Sequence, residues 1–154
     1  MMSEVEREAM FAILCSSVGV NFTYASGVSI SMDEVVDRLH NMGFFTQPAS
    51  TRFHGDYEGG LFDHSYRVAT ELLKLTDALH LDWERKCSPV IIGLFHDLCK
   101  VDNYQRDTSG EPIRYHMGAY EKDEWDNLDV AIRRFNNVLW THTADMVASK
   151  FYNT

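Results

Sequence analysis

Cysteine is scarce and unpaired in this sequence: Cys15, Cys87 and Cys99 form no CxxC motif and are odd in number, which argues against a disulfide framework or a thiolate zinc site and for a reduced, cytoplasmic setting. Proline is scarcer than in linker-rich chains, with three residues in 154, and no repeat or low-complexity stretch divides the sequence. A single domain over residues 1–154 is therefore expected, and its mass of 17.7 kDa is an ordinary domain size. Long apolar runs are missing too. The longest, VIIGLF at 90–95, is interrupted by Gly93 and falls far short of the ~20 residues of a membrane-spanning helix. The amino terminus lacks the basic-then-apolar order of a signal peptide, so no membrane partner is expected. Basic residues are the minority charge, 14 Lys and Arg against 23 Asp and Glu. The resulting net charge of −9 repels duplex nucleic acid. A small phosphorylated ligand stays compatible with that field, because a bound divalent cation reverses the potential inside one pocket.

What is present is helical periodicity. Val5, Ala9, Ala12 and Ile13 return at steps of three and four, which predicts an amphipathic helix from Met2 to about Cys15. Residues 16–31, rich in Ser and Gly, suit a loop or small hairpin. Ser31 with Glu34 reads as a capping box, and Met32, Val35, Val36, Leu39 and Met42 form one stripe closed by Gly43. Residues 44–60 show no period and predict a long irregular connection. Leu61, His64, Val68, Leu72, Leu75 and Leu79 then mark a helix of about five turns ending near His80. Ser88 and Pro89 suit an N-cap and first helical position for an almost wholly apolar helix over 90–100. A loop is expected at 105–114, a helix on Trp125, Leu128, Ile132 and Phe135, and a last helix capped by Asn136 or Asn137 and running to about Lys150. Trp83, Trp125 and Trp140, with Phe95 and Phe135, read as core. The fold class expected is all-α.

Chemistry concentrates in GLFHDLCK, residues 93–100, which sets His96 and Asp97 in a segment that otherwise asks for burial. Burying an ionised carboxylate without a partner costs several kcal/mol, and a coordinated cation removes that cost. Adjacent helical residues differ by about 100° in azimuth, so His96 and Asp97 reach one ion only with ligands from other helices. His64, on the inward face of the preceding helix, and Asp145, with His142 one turn before it in WTHTADMVASK, are the candidates. This nitrogen and oxygen donor set suits one divalent Mn, Fe, Co, Ni or Mg ion better than a structural zinc.

GLFDHS at 60–65, GLFHDLCK at 93–100 and HTAD at 142–145 resemble, in that order, the H, HD, D signature of the HD-domain metal-dependent phosphohydrolase superfamily. The resemblance spans about residues 48–150 and leaves 1–47 as an N-terminal helical and loop extension. It implies His64, His96, Asp97 and Asp145 as metal ligands. More closely, PASTRFHGDYEGGLFDHS, RYHMGAYEKDEWDN and VLWTHTADMVASK are similar to small HD-domain hydrolases of phages and mobile elements. Such relatives carry a longer stretch before the YHMGAY segment than the QRDTSGEPIR found here, which argues against a second metal.

The activity implied is attack of metal-activated water on the phosphorus of a small phosphoester, nucleotides and cyclic nucleotides first among them. Lys100, one turn beyond His96 and Asp97, is a candidate to hold a phosphate oxygen or else a solvent-facing lysine at a helix end. Arg67 is a second phosphate candidate or the member of a surface ion pair. His116, beside Arg114 and Tyr115, is a candidate ligand, proton donor or substrate contact, and His142 a candidate ligand or orienting group. His54, Asp56 and Glu58 are candidates for the pocket rim, with Glu58 a possible general base or part of a solvated acidic loop. His40 and His80 read as surface residues near helix ends. Two rival readings are a di-iron oxygenase drawing on His116 and His142, and a module that binds metal or nucleotide without turnover. The oligomeric state is not legible.

Overall fold

The computed structural model describes residues 1–50, 53, 55–98, 100–103 and 136–152. Among these the chain is helical apart from one small hairpin, in which Phe22–Thr23 (β1) pairs antiparallel with Ser29–Ile30 (β2) and Phe22 lies opposite Ile30. The expected all-α class is observed. The loop at 105–114, the helix around Trp125 to Phe135, and Cys99 lie outside the described residues.

The first helix, α1, covers Glu4–Ser17 and opens on a full capping box: Ser3 Oγ accepts from the Glu6 amide, and the Glu6 carboxylate accepts from the Ser3 amide. Its buried face is not the stripe that the apolar spacing picks out. Val5 and Ile13 are 72% and 69% exposed, while Arg7, Phe11, Leu14 and Cys15 turn inward. The reason is a buried Arg7, which holds an ion pair and so occupies a core-facing position that hydropathy assigns to solvent.

Helix α2, Met32–Met42, starts at Ser31, whose Oγ accepts from the Glu34 amide, and ends at Gly43 in the left-handed region. Only half of the predicted capping box forms, because the Glu34 carboxylate is engaged by Tyr24 and Arg38. Val35 and Leu39 are the buried residues of its stripe, and Met42 is partly exposed. The described residues among 44–59 contain no helix or strand. They are fixed by backbone bonds, with Ala49 donating to Gly55 and Gly59 to Thr46.

Helix α3, Gly60–Leu79, is the centre of the molecule and ends at His80, which adopts a left-handed conformation. Helix α4, Ser88–Phe95, crosses it with Gly93 against Ala69, a contact so close that a Cβ on Gly93 would overlap the Ala69 backbone. The predicted start is off by one residue, Cys87 being the cap and Ser88 already helical. The predicted extent is corrected more seriously: the helix stops at Phe95 instead of running to Lys100. There the backbone bonds change from four-residue to three-residue spacing, Leu98 donating to Phe95, Lys100 to Asp97 and Val101 to Leu98. That tighter turn follows His96, whose own amide still donates to Ile92, and leads into the short helix α5, Lys100–Asn103. The last described helix, α6, spans Asn136–Phe151.

Two apolar clusters flank α3. The larger joins Phe11, Phe44, Phe45, Leu61, Phe62 and Leu94, with Phe95 and Phe22 packed on it, and neighbouring rings meet mostly edge-on at 5.3–6.4 Å. The N-terminal helix is thus built into the same core as α3 and α4. The smaller joins Val68 and Leu72 to Ala144 and Ala148 of α6, with Trp83 and Trp140 alongside. Alanine on α6 lets the two helices approach closely, which brings Asp145 over the first half of α3.

A candidate metal centre

Four side chains converge where α3, the end of α4 and α6 meet. His64 comes from the second turn of α3 and is fully buried; His96 caps α4; Asp97 follows in the tight turn; Asp145 sits mid-way along α6. His64 Nε2 lies 2.9 Å from Asp145 Oδ1 and 3.5 Å from Asp97 Oδ2. His96 Nε2 lies 3.4 Å from Asp97 Oδ2 and 3.7 Å from Asp145 Oδ1. The imidazole rings are 5.2 Å apart between centroids. His96 keeps α-helical backbone at the end of α4 and the three-residue bonds begin beyond it; from these adjacent positions Asp97 reaches His64 and His96 reaches Asp145.

The arrangement fits a divalent ion. Ligands at about 2.1 Å from one metal are separated by roughly 3.0 Å at a right angle and 3.4 Å at a tetrahedral one, and the four nitrogen–oxygen separations fall around those values. His96 Nδ1 is 2.7 Å from the Gly93 carbonyl, so that nitrogen carries the proton and donates, which turns the Nε2 lone pair of the neutral ring to the centre. His96 Nε2 itself is buried without a hydrogen bond of good geometry, as expected of an atom reserved for a cation. Among the described residues, His64, His96 and Asp145 form one such group, every ligand atom within 4.8 Å of the others, and Glu4, Glu8 and His40 form a second, more exposed one.

The electrostatics are those of an anion-rich ligand set. Burial raises the Asp145 carboxyl, but the His64 and His96 imidazoles outweigh it and hold the group below the usual carboxylate range. Burial lowers His96, yet Asp145, Asp97 and the Gly93 carbonyl together raise it above its ordinary value. Lys100 Nζ donates to Asp97 Oδ2 at 2.7 Å, with its side chain 17% exposed, so its charge points at the centre from the α5 side.

Other sequence candidates are placed differently. His142 is half-buried on α6 but is not part of the converging group. Arg67 does not reach an acidic partner among the interactions of the described residues; its guanidinium lies 4.3 Å above the Tyr152 ring, tying the end of α6 to α3. Asp56 and Glu58 are exposed in the turn before α3. His54, Arg114 and His116 lie outside the described residues.

The sequence reading missed a buried polar cluster behind His64. Arg7, 3% exposed, makes a forked ion pair with Asp63, Nε to Oδ1 at 2.8 Å and one terminal nitrogen to Oδ2 at 3.2 Å. Tyr57 donates to the same Oδ2 at 2.9 Å. Burial, reinforced by Asp63, pushes the Tyr57 phenol up to about 12. The spacing Arg7, Phe11, Leu14 was the available signal, since it has the helix period with a charge at its head. His40 is exposed in the last turn of α2, as expected, and its Nδ1 is 2.8 Å from both Glu4 and Glu8 of α1, pairings that the sequence did not show.

No family model matches the chain, and no solved structure matches it. No helix among the described residues is long and apolar enough to cross a membrane. The chain is similar to a dihydroneopterin 2',3'-cyclic phosphate phosphodiesterase of Methanocaldococcus jannaschii, 38% identical over 73 residues. The match takes in 46% of this chain and 29% of that protein, so the chain spans less than a third of the length of the relative it matches.

Proposed function

We propose that this chain is a metal-dependent phosphohydrolase of the HD-domain type, acting on small phosphoesters, with nucleotides and cyclic nucleotides first among them. The observation that carries the reading is the convergence of two imidazoles and two carboxylates from α3, α6 and the turn that ends α4, around the buried His64. The partial likeness to a phosphodiesterase supports phosphoester hydrolysis as the reaction class.

His64, His96, Asp97 and Asp145 would hold one divalent ion, Mn, Fe, Co, Ni or Mg by donor type, and the ion supplies Lewis acidity and an activated water. Gly93 keeps the His96 ring in the tautomer that presents Nε2. Lys100 neutralises one side of Asp97 and stands ready to take a non-bridging phosphate oxygen as a point charge. The divalent ion, with Lys100 beside it, would offset locally the net charge of −9 that otherwise repels an anionic substrate.

The test incubates the protein and its Asp97→Ala variant with nucleoside monophosphates, 3',5'-cyclic and 2',3'-cyclic nucleotides and added Mn²⁺, and separates the products by chromatography. Product formation in the parent, abolished by the variant and by chelator, is the expected result. A variant that hydrolyses as the parent does would overturn the assignment.

A further inference from the structure

We infer that Arg7, a residue of the N-terminal helix, is a positioning residue for the metal centre, acting through Asp63 on the helix that carries His64. This rests on the reading of His64, His96, Asp97 and Asp145 as a metal site.

Helix α3 has no local device that fixes its start. Its N-cap is Gly59, in the left-handed region, with no side-chain cap bond. The first turn is held by tertiary attachments instead. The Gly59 amide donates to the Thr46 carbonyl and the Leu61 amide to the Gln47 carbonyl, which sets the helix along its axis. Rotation about that axis is resisted by Asp63, the acidic residue of the first turn, gripped by Arg7 and Tyr57. The grip has no slack, because the guanidinium lies against the Gly59 backbone where any Cβ would overlap it, and Gly60 is likewise packed on the Gly55 carbonyl.

His64 is the next residue. A helix rotation of about 10° displaces an atom some 6 Å from the axis by about 1 Å. That is twice the tolerance of about 0.5 Å within which a ligand constellation must be held. A buried ion pair adds little net stability over an apolar filling of the same volume, and register is its best-attested use. The fork of Arg7 on Asp63 supplies that register, since two parallel bonds define an angle where a single lysine bond does not. The N-terminal helix is on this account part of the site's scaffold and not an appendage to it.

The experiment measures Mn²⁺ affinity and, in metal-free protein labelled with ¹⁵N-histidine, the imidazole resonances of His64, for the parent and for Arg7→Lys, Asp63→Asn and Tyr57→Phe. Asp63→Asn is expected to weaken Mn²⁺ binding at least tenfold, the lower end of the loss seen when groups behind a metal ligand are removed. Arg7→Lys, which keeps the charge and loses the fork, should recover part of it. Tyr57→Phe removes one bond and keeps the ring, so it folds most readily and should give the smallest weakening, with a shifted His64 signal. Unchanged Mn²⁺ affinity and unchanged His64 resonances in all folded variants would overturn the inference, even if melting temperatures fall. A parent that binds no Mn²⁺ defeats the metal-centre reading alone; the His64 resonances then decide the positioning role by themselves.

Discussion

Gly93→Ala is the substitution whose cost follows most directly from the helix crossing. A Cβ at this position would lie 2.6 Å from the Ala69 nitrogen and 2.8 Å from the Ala69 Cβ. Ordinary carbon contacts begin near 3.5 Å, so α3 and α4 would have to part by about 1 Å. Two of the nearest atoms are backbone and cannot rotate away, which places the overpacking penalty near the upper end of its usual range, about 3 kcal/mol. The better helix propensity of alanine returns about 1 kcal/mol. The net expectation is a loss of about 2 kcal/mol, or roughly 4–8 °C in melting temperature for a chain of this size. The assay is thermal and urea unfolding followed by circular dichroism at 222 nm, with chelator present so that metal binding does not contribute. Adding Ala69→Gly should rescue little, because it removes the Cβ contact and leaves the backbone ones. A Gly93→Ala protein as stable as the parent, or more so, would show that propensity outweighs the contact and that the helices do not touch at backbone distance.

Two further outcomes follow from charge and burial. His40 is raised above an ordinary 6.5 by its hydrogen bond to Glu8 and by the charge of Glu4; its contribution is fully present below pH 6.5 and is lost as the pH rises through the higher value of the folded ring. Unfolding free energy measured across that range should therefore fall with rising pH, and His40→Gln should flatten this component. Burial pushes the Cys15 thiol up to about 12, so a variant keeping Cys15 as its one cysteine should not react with a thiol reagent at pH 8 until it unfolds.

The parts of the fold legible in the sequence are those set by local chemistry. Ser31 and Gly43 delimit α2 because a cap hydroxyl and a left-handed glycine act within one turn. The leucine and valine stripe likewise delimits α3. The inward face of α1 was misread because its anchor is a charge, Arg7, whose partner lies 56 residues away. The end of α4 was misread because neither glycine nor proline marks it; the three-residue bonds around His96 and Asp97 do. At the site, His96 and Asp97 stood out as a polar pair in an apolar segment, His64 and Asp145 were the candidates on neighbouring helices, and the H, HD, D resemblance joined the four. The sequence said nothing of the bond from Lys100 to Asp97, nor of Arg67 resting on Tyr152, because those contacts depend on how helices are laid side by side.

The unequal sharing of aromatic residues between the two faces of α3 has an optical consequence. The larger cluster is populated by phenylalanine, which barely emits, whereas Trp83 and Trp140 both border the smaller one. Trp83 is held there by its indole bond to Thr76, and Trp140 rides on the helix that delivers Asp145. Emission from these two indoles thus registers the seating of α6 on α3, the step that closes Asp145 onto His64. Among the described residues the indoles thus sit at the joint on which the site depends, and the phenylalanine core on the other side carries no tryptophan, with Tyr66 packed against it.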